Sequence, residues 1–133
     1  MRGYYSLDEK LECIEHGEVS IEEGYNLIDK YIEGQKEVEG IRDGEYVVSK
    51  SSFGFYIDDK TSIEIFIYGE NSYGLQFETA TVKKFLFFNY NSWYQEEITI
   101  FEKESLKEAV LKFFQYEPEE FKLYFEKMRS KAR

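Results

Sequence analysis

Cys13 and His16 are the only residues of their kinds in this chain of 133 residues, and they stand three apart. On a helix that spacing brings both to one face, where a thiolate and an imidazole can share a metal ion. A tetrahedral site takes at least three protein ligands, so carboxylates would have to complete it. A nucleophile–base pair would need a third group to orient the base. The simpler assignment makes Cys13 a small apolar filler and puts His16 at a helix C-terminus, where the dipole welcomes a cation. That assignment is preferred, and no metal or other cofactor is expected.

The paired carboxylates make no better acid–base couple. Glu22-Glu23, Asp58-Asp59, Glu96-Glu97 and Glu119-Glu120 are all sequence neighbours. Adjacent residues on a helix do not face each other, and adjacent residues on a strand point to opposite sides. Asp58-Asp59 falls in a turn and lacks the ladder of oxygen ligands that a calcium loop requires. Neither GxxxxGK[ST] nor GxGxxG occurs, so no glycine loop is built to cradle phosphate. Solvated surface is the default for all four pairs, and the chain reads as a non-enzyme.

Charge divides the chain. Residues 1–45 hold thirteen Asp and Glu against five Lys and Arg, residues 46–100 seven against four, and residues 101–133 seven against eight, which gives −8, −3 and +1 within the total of −10. So acidic a front repels phosphate backbones, which demand cationic neutralisation, and nucleic acid is excluded as a partner. The bland account of the charge is solubility. The other is a surface made for a positively charged partner.

Aromatics divide the chain the other way. Fifteen of them, the single Trp included, fall within residues 46–101. Alternating Phe and Tyr in strands is ordinarily core, with tyrosines at its wet margin. This many exceeds what one face of a sheet needs. Either helices cover both faces, or an aromatic patch stays exposed; Tyr73, Tyr90, Trp93 and Tyr94 are the expected exceptions.

The elements that must carry these residues follow from periodicity. Ser6…Glu9 has capping-box spacing, followed by Leu7, Leu11 and Ile14 at helical intervals, with His16-Gly17 as the stop. Ser20…Glu23 repeats the box ahead of Ile21, Leu27, Ile28, Tyr31 and Ile32, and Gly34 closes that helix. Residues 35–44 are polar and read as a connector. The period then becomes two: Ile63, Ile65 and Ile67 oppose Glu64, Phe66 and Tyr68. Val82, Lys84, Leu86, Phe88 and Tyr90 are expected on one face against Lys83, Phe85, Phe87 and Asn89. Strands are expected near 45–50, 53–58, 62–68, 74–80, 82–90 and 94–101, with turn chemistry at Asp58-Asp59-Lys60-Thr61, Gly69-Glu70-Asn71-Ser72 and Asn89-Tyr90-Asn91-Ser92. Ser105…Glu108 is a third box, before the stripe Leu106, Ala109, Val110, Phe113 and Phe114. Pro118 starts a last helix through Phe121, Phe125 and Met128.

The expected architecture is therefore α+β in one domain over 1–133. It comprises an N-terminal helical hairpin (1–34), a central antiparallel meander of about five or six strands (45–101) and two C-terminal helices (105–130). At 16.0 kDa such a chain buries roughly two-thirds of its extended surface. One Cys allows no internal disulfide framework. Residues 1–10 hold no apolar stretch of a secretory signal's length, and the run Phe85-Leu86-Phe87-Phe88 is too short to span a bilayer. A soluble cytoplasmic protein without a membrane partner is expected.

The stretch Leu11-Glu12-Cys13-Ile14-Glu15-His16-Gly17-Glu18-Val19-Ser20-Ile21-Glu22-Glu23 resembles a short helix–Gly–x–Val–Ser–helix hairpin of many bacterial proteins, a structural element that carries no activity with it. As a whole, the acidic single-domain chain resembles the small bacterial immunity proteins that block a toxin's active domain, and more loosely the acidic inhibitors that mimic nucleic acid. The immunity resemblance implies occlusion of a basic active site, such as that of a nuclease, by a carboxylate surface with aromatic anchors. The residues expected to make it are Glu15, Glu18, Glu22, Glu23, Asp58 and Asp59, with Tyr73 and Trp93 as anchors. The alternatives are a small-molecule or peptide sensor with an aromatic pocket, and a homo-oligomerisation module with its aromatic excess buried in a dimer. The chain is expected as a monomer or homodimer.

Overall fold

Alternation along the central strands decides where the core lies. Ile63, Ile65 and Ile67 are buried in one strand, and Tyr73, Leu75 and Phe77 are buried opposite them in the next. A computed structural model describes residues 3–7, 13–33, 37–42, 44–50, 52–69 and 71–131. The elements run β1 (Gly3–Leu7), β2 (Cys13–Glu18), α1 (Ile21–Glu33), β3 (Glu37–Arg42), β4 (Glu45–Lys50), β5 (Phe53–Tyr56), β6 (Ser62–Gly69), β7 (Ser72–Phe85), β8 (Phe88–Ile100), α2 (Lys103–Gln115) and α3 (Pro118–Lys131). The protein is α+β with antiparallel sheet; the meander, expected with five or six strands from residue 45, has four, β5 through β8, because β4 pairs with β3 instead and β7 and β8 are long single strands.

The main sheet has the order β2-β1-β5-β6-β7-β8, and β3 pairs with β4 in a separate two-stranded sheet. Phe53 and Phe55 of β5, with Ile98 and Ile100 of β8, share the buried face of the central strands. All three helices pack there. Gly24 of α1 lies against Phe114 and Phe55, Phe114 of α2 meets Phe55 edge-on, and Phe121 and Phe125 of α3 close on Phe77. Full burial of each such side chain contributes roughly 1.5–3 kcal/mol. On the other face, aromatic rings fill the gaps that glycines leave. Tyr56 lies over Gly3 of the neighbouring strand, and the Tyr68 hydroxyl lies over Gly74 and donates to Glu97.

Several expectations need correction. The first helix of the expected N-terminal hairpin is absent among the described residues; β1 and β2 stand there instead, and β1 pairs with both β2 and β5. Ser6 lies in a strand, while Glu9 lies outside the described residues. Gly17, read as a helix stop, has φ +85° beside His16, the residue that the register skips on β2, so the left-handed glycine serves a bulge. Residues 37–42, read as connector, form β3.

The second box is real. Glu23 N–H donates to Ser20 Oγ at 3.1 Å, and Ser20 N–H donates to Glu23 Oε1 at 3.4 Å. The third is not a start: α2 begins two residues earlier, after Glu102, which makes no side-chain cap. Pro118 opens α3 as expected.

The largest correction concerns β7 and β8. The break expected after residue 80 does not exist, and Asn89-Tyr90-Asn91-Ser92 is strand. Tyr73 pairs with Ile100 and the register continues unbroken to Phe85 opposite Phe88. The chain reverses at Leu86 and Phe87.

Candidate functional site

One transverse row of the sheet marks where its body ends. Glu18, Gly3, Tyr56, Ser62, Glu78 and Gln95 are successive partners across all six strands. Beyond this row lie the β5–β6 turn, the start of α1 and the free part of the β7–β8 hairpin. Glu18, Glu22, Glu23, Asp58 and Asp59 therefore gather at one end of the fold, and all five are exposed.

Local chemistry holds each of them there. Glu22 and Glu23 occupy the first turn of α1, where the helix dipole favours anions, and Glu23 also closes the capping box. Asp58 Oδ1 accepts from the backbone N–H of Lys60 at 2.8 Å and of Thr61 at 2.9 Å, an Asx turn that leaves Asp59 to solvent. None of the five carboxylates forms an ion pair with a described residue. Lys60 is the cation of that turn. The ion pairs formed among described residues lie elsewhere: Asp29 with Lys103 at 3.2 Å and Lys107 at 2.8 Å, and Arg129 with Glu96 at 3.1 Å and Glu126 at 3.4 Å.

The remaining expected site residues divide. Glu15 sits opposite Tyr5 in β2, and its side chain lies outside the described residues. Tyr73 is 3% exposed, because it shares the buried face with Leu75 and Phe77; its place beside a turn did not outweigh that parity, and it is withdrawn as an anchor. Tyr94 is half-buried, with its ring against Phe77 and Phe125, Lys122 Nζ 4.6 Å from its centre and its hydroxyl donated to Glu126. Trp93 and Tyr90 are exposed, as expected.

From Thr79 and Tyr94 outward, β7 and β8 have only each other as sheet partners. Six further residues per strand carry this ribbon about 20 Å beyond the sheet. Residues 81–91 are exposed throughout. The register puts Thr81, Lys83, Phe85, Phe88, Tyr90 and Ser92 on the face continuous with the helices, and Ala80, Val82, Lys84, Asn89, Asn91 and Trp93 on the other. The expected grouping of Val82 and Lys84 with Phe88 and Tyr90 fails because the chain reverses between them. At the apex Leu86 holds φ +55°, a left-handed conformation that costs a residue of this type about 1 kcal/mol or more. Two-residue hairpin turns normally put Gly, Asn or Asp there. Beside the root of the ribbon, a cleft of about 590 Å³ opens between residues 79–82 and the acidic first turn of α3.

This arm was missed from sequence, although two signals announce it. Four apolar residues stand in a row without turn chemistry, and residues 79–95 contain Lys83 and Lys84 but no Asp or Glu.

Titration follows burial. Burial pushes the Tyr68 and Tyr124 hydroxyls up to about 12, aided by Glu97 and by Glu108 respectively, and it raises Tyr94 further, aided by Glu126. At neutral pH all three stay protonated, far from the poise of a general base, and Tyr68 and Tyr94 donate to Glu97 and Glu126. Among the described residues no group of three or more His, Cys, Asp or Glu is placed to hold a metal ion. Among the described residues no helix is long and apolar enough to cross a membrane. The chain matches no protein-family model, no curated protein and no solved structure.

Proposed function

We propose that this chain is a non-catalytic binding protein of the immunity type, one that neutralises a toxin by occluding a basic active surface. The observation that carries the reading is the gathering of Glu18, Glu22, Glu23, Asp58 and Asp59 at one end of the sheet without ion pairs to described residues. A carboxylate surface of this kind competes for the Lys and Arg side chains with which a nuclease holds phosphate. Complementary charge raises the encounter rate by orders of magnitude over a neutral pair, which suits an inhibitor that must act before damage accumulates. The same surface repels nucleic acid itself. Trp93 at the arm root is the aromatic contact retained in this reading.

The test is to mix the chain with the toxin domain encoded beside it and to measure association across ionic strength. Association is expected to slow steeply as salt rises, and the combined variant Glu18→Lys, Glu22→Lys and Asp59→Lys is expected to lose it about a hundredfold or more. Association indifferent to both salt and charge reversal removes the reading.

A further inference from the structure

Beyond its root at Trp93 the arm has no part in the carboxylate surface, and nothing in the described chain covers it. Soluble monomers rarely expose an apolar patch beyond roughly 300–600 Å². At roughly 200 Å² per aromatic side chain, the exposed 66% of Phe85, 94% of Phe87 and 71% of Phe88 already come to about 450 Å². Leu86, Val82, Tyr90 and Trp93 extend it, each about half exposed or more.

We propose that the β7–β8 arm is a membrane-docking element, whose apex enters the interfacial layer of an anionic phospholipid surface while Lys83 and Lys84 engage its headgroups. The distribution of residues around the ribbon favours a surrounding medium over a docked protein. Lys83 and Tyr90 stand on one face, Lys84 and Trp93 on the other, and the apex is apolar all round. A second copy or another protein that seats against the ribbon reads one face. A lipid interface reads both.

The order along the arm is that of an interfacial anchor: apolar apex, then Lys84 opposite Asn89 and Lys83 opposite Tyr90, then Asn91, Thr81 and Ser92, with Trp93 at the root. Three residues separate Phe87 from Tyr90, about 10 Å of strand, which matches the shallow depth at which such anchors lie. Only the Phe85–Phe88 pair and the turn lie beyond the lysines, so few unpaired ribbon amides would leave water, as a lipid environment demands. The net charge of −10 does not oppose this. The arm carries no carboxylate, and Lys83 and Lys84 stand four and five residues, about 13–17 Å, outward from Thr79, so an approaching surface meets them before the acidic first turn of α3 at the root. Too short to span a bilayer, the run Phe85-Leu86-Phe87-Phe88 is long enough to rest in its surface, and in this the proposal departs from the expectation of no membrane partner. This proposal does not depend on the inhibitor reading.

Because Trp93 is the only tryptophan, its emission reports on the root of the arm and so limits how deep the arm enters. The full chain is to be mixed with vesicles of phosphatidylcholine, alone or with a minor share of phosphatidylserine, and followed by co-sedimentation and by Trp93 fluorescence. Binding is expected on the vesicles that contain phosphatidylserine, with little change in Trp93 emission, because Trp93 stands six residues, about 20 Å, from Phe87. Phe87→Ser with Phe88→Ser is expected to weaken partitioning about tenfold or more, and Lys83→Ala with Lys84→Ala to remove most of the preference for phosphatidylserine. Circular dichroism should show both variants folded, since these side chains touch nothing in the body. Failure to bind either vesicle, or binding that survives the apex variant, overturns the proposal. Equal binding to both vesicle types overturns the anionic assignment. Self-association in lipid-free buffer that the apex variant abolishes gives the apex to a second copy of the chain instead.

Discussion

Lys107 Nζ lies 2.8 Å from Asp29 Oδ2 and pins α2 to α1 on the helical layer. The lysine side chain is only 10% exposed, and its ammonium also sits 4.2 Å from the centre of the Tyr25 ring. Lys103 reaches the other Asp29 oxygen at 3.2 Å. One carboxylate thus answers two cations from successive turns of α2.

Asp29→Asn is expected to destabilise the fold by about 1–2 kcal/mol, because it leaves the Lys107 ammonium without its charged partner. The hydrogen bond from Lys107 holds the Asp29 carboxyl below its ordinary value, and the same bond raises the Lys107 ammonium above its own. A lowered acid contributes stability that is present above about pH 4 and is lost as pH falls through the folded value. A raised base contributes stability that is present below about pH 10.5 and is lost as pH rises through the folded value. Urea unfolding of both proteins from acid to alkali should show the largest gap between those limits. A gap that persists unchanged at strongly acid pH refutes the linkage.

Alkali should act on the tyrosines. Tyr68 and Tyr124, pushed up to about 12 chiefly by burial, favour the folded state while protonated. Their contribution is complete below about pH 10 and disappears as pH climbs towards 12. Spectroscopic titration of the tyrosinates should show these hydroxyls, with Tyr94, ionising late or only with unfolding. Tyr68→Phe should remove part of the late-titrating signal; an unaltered curve counts against the assignment.

Gly24→Ala sets two effects against each other. The new methyl improves helix propensity by up to about 1 kcal/mol. It also arrives 2.9 Å from Phe114 Cε2 and 3.4 Å from Phe55 Cε1 in a filled core. Overpacking of this kind costs about 1–3 kcal/mol, so a net loss of about 1 kcal/mol is expected in thermal unfolding. A rise in Tm would show that α1 can shift outward without cost.

Leu86→Asn relieves the left-handed strain at the apex, because Asn tolerates positive φ. Hydrogen exchange is the appropriate measurement, since the ribbon opens without the body. Amides beyond Thr79 should gain roughly fivefold in protection, the equivalent of about 1 kcal/mol, and those of β5 and β6 should not change. Equal protection in both proteins would mean that the turn carries no strain.

How far these features were legible in the sequence depends on how local their causes are. The isoleucines of β6 declared their strand because one buried face imposes a period of two, and Ser20 with Glu23 declared the start of α1 because a capping box is contained in four residues. The N-terminal strands were misread as helix because Ser6, Glu9, Leu7, Leu11 and Ile14 happen to fit a helical period. What makes β1 a strand is its pairing with Phe53 and Phe55, nearly fifty residues away, which no local window contains. The long hairpin was hidden by its own chemistry, since Leu86 and Phe87 turn where no turn former stands and the polar Asn89, Asn91 and Ser92 lie in strand. The acidic residues were singled out by type alone, and only the shared row from Glu18 to Gln95 brings those described to a common end.

Each strand of the arm is the uninterrupted extension of a core strand, and that continuity has a mechanical meaning. Thr79 is tied inside by its hydroxyl to Thr61 at 2.9 Å, and Tyr94 is held to α3 through Glu126, so the ribbon is clamped at its base on both strands. Whatever seizes the apex gains a lever about 20 Å long. Torque applied there is delivered to the seam between β8 and α3, where Glu96, Glu126 and Arg129 meet.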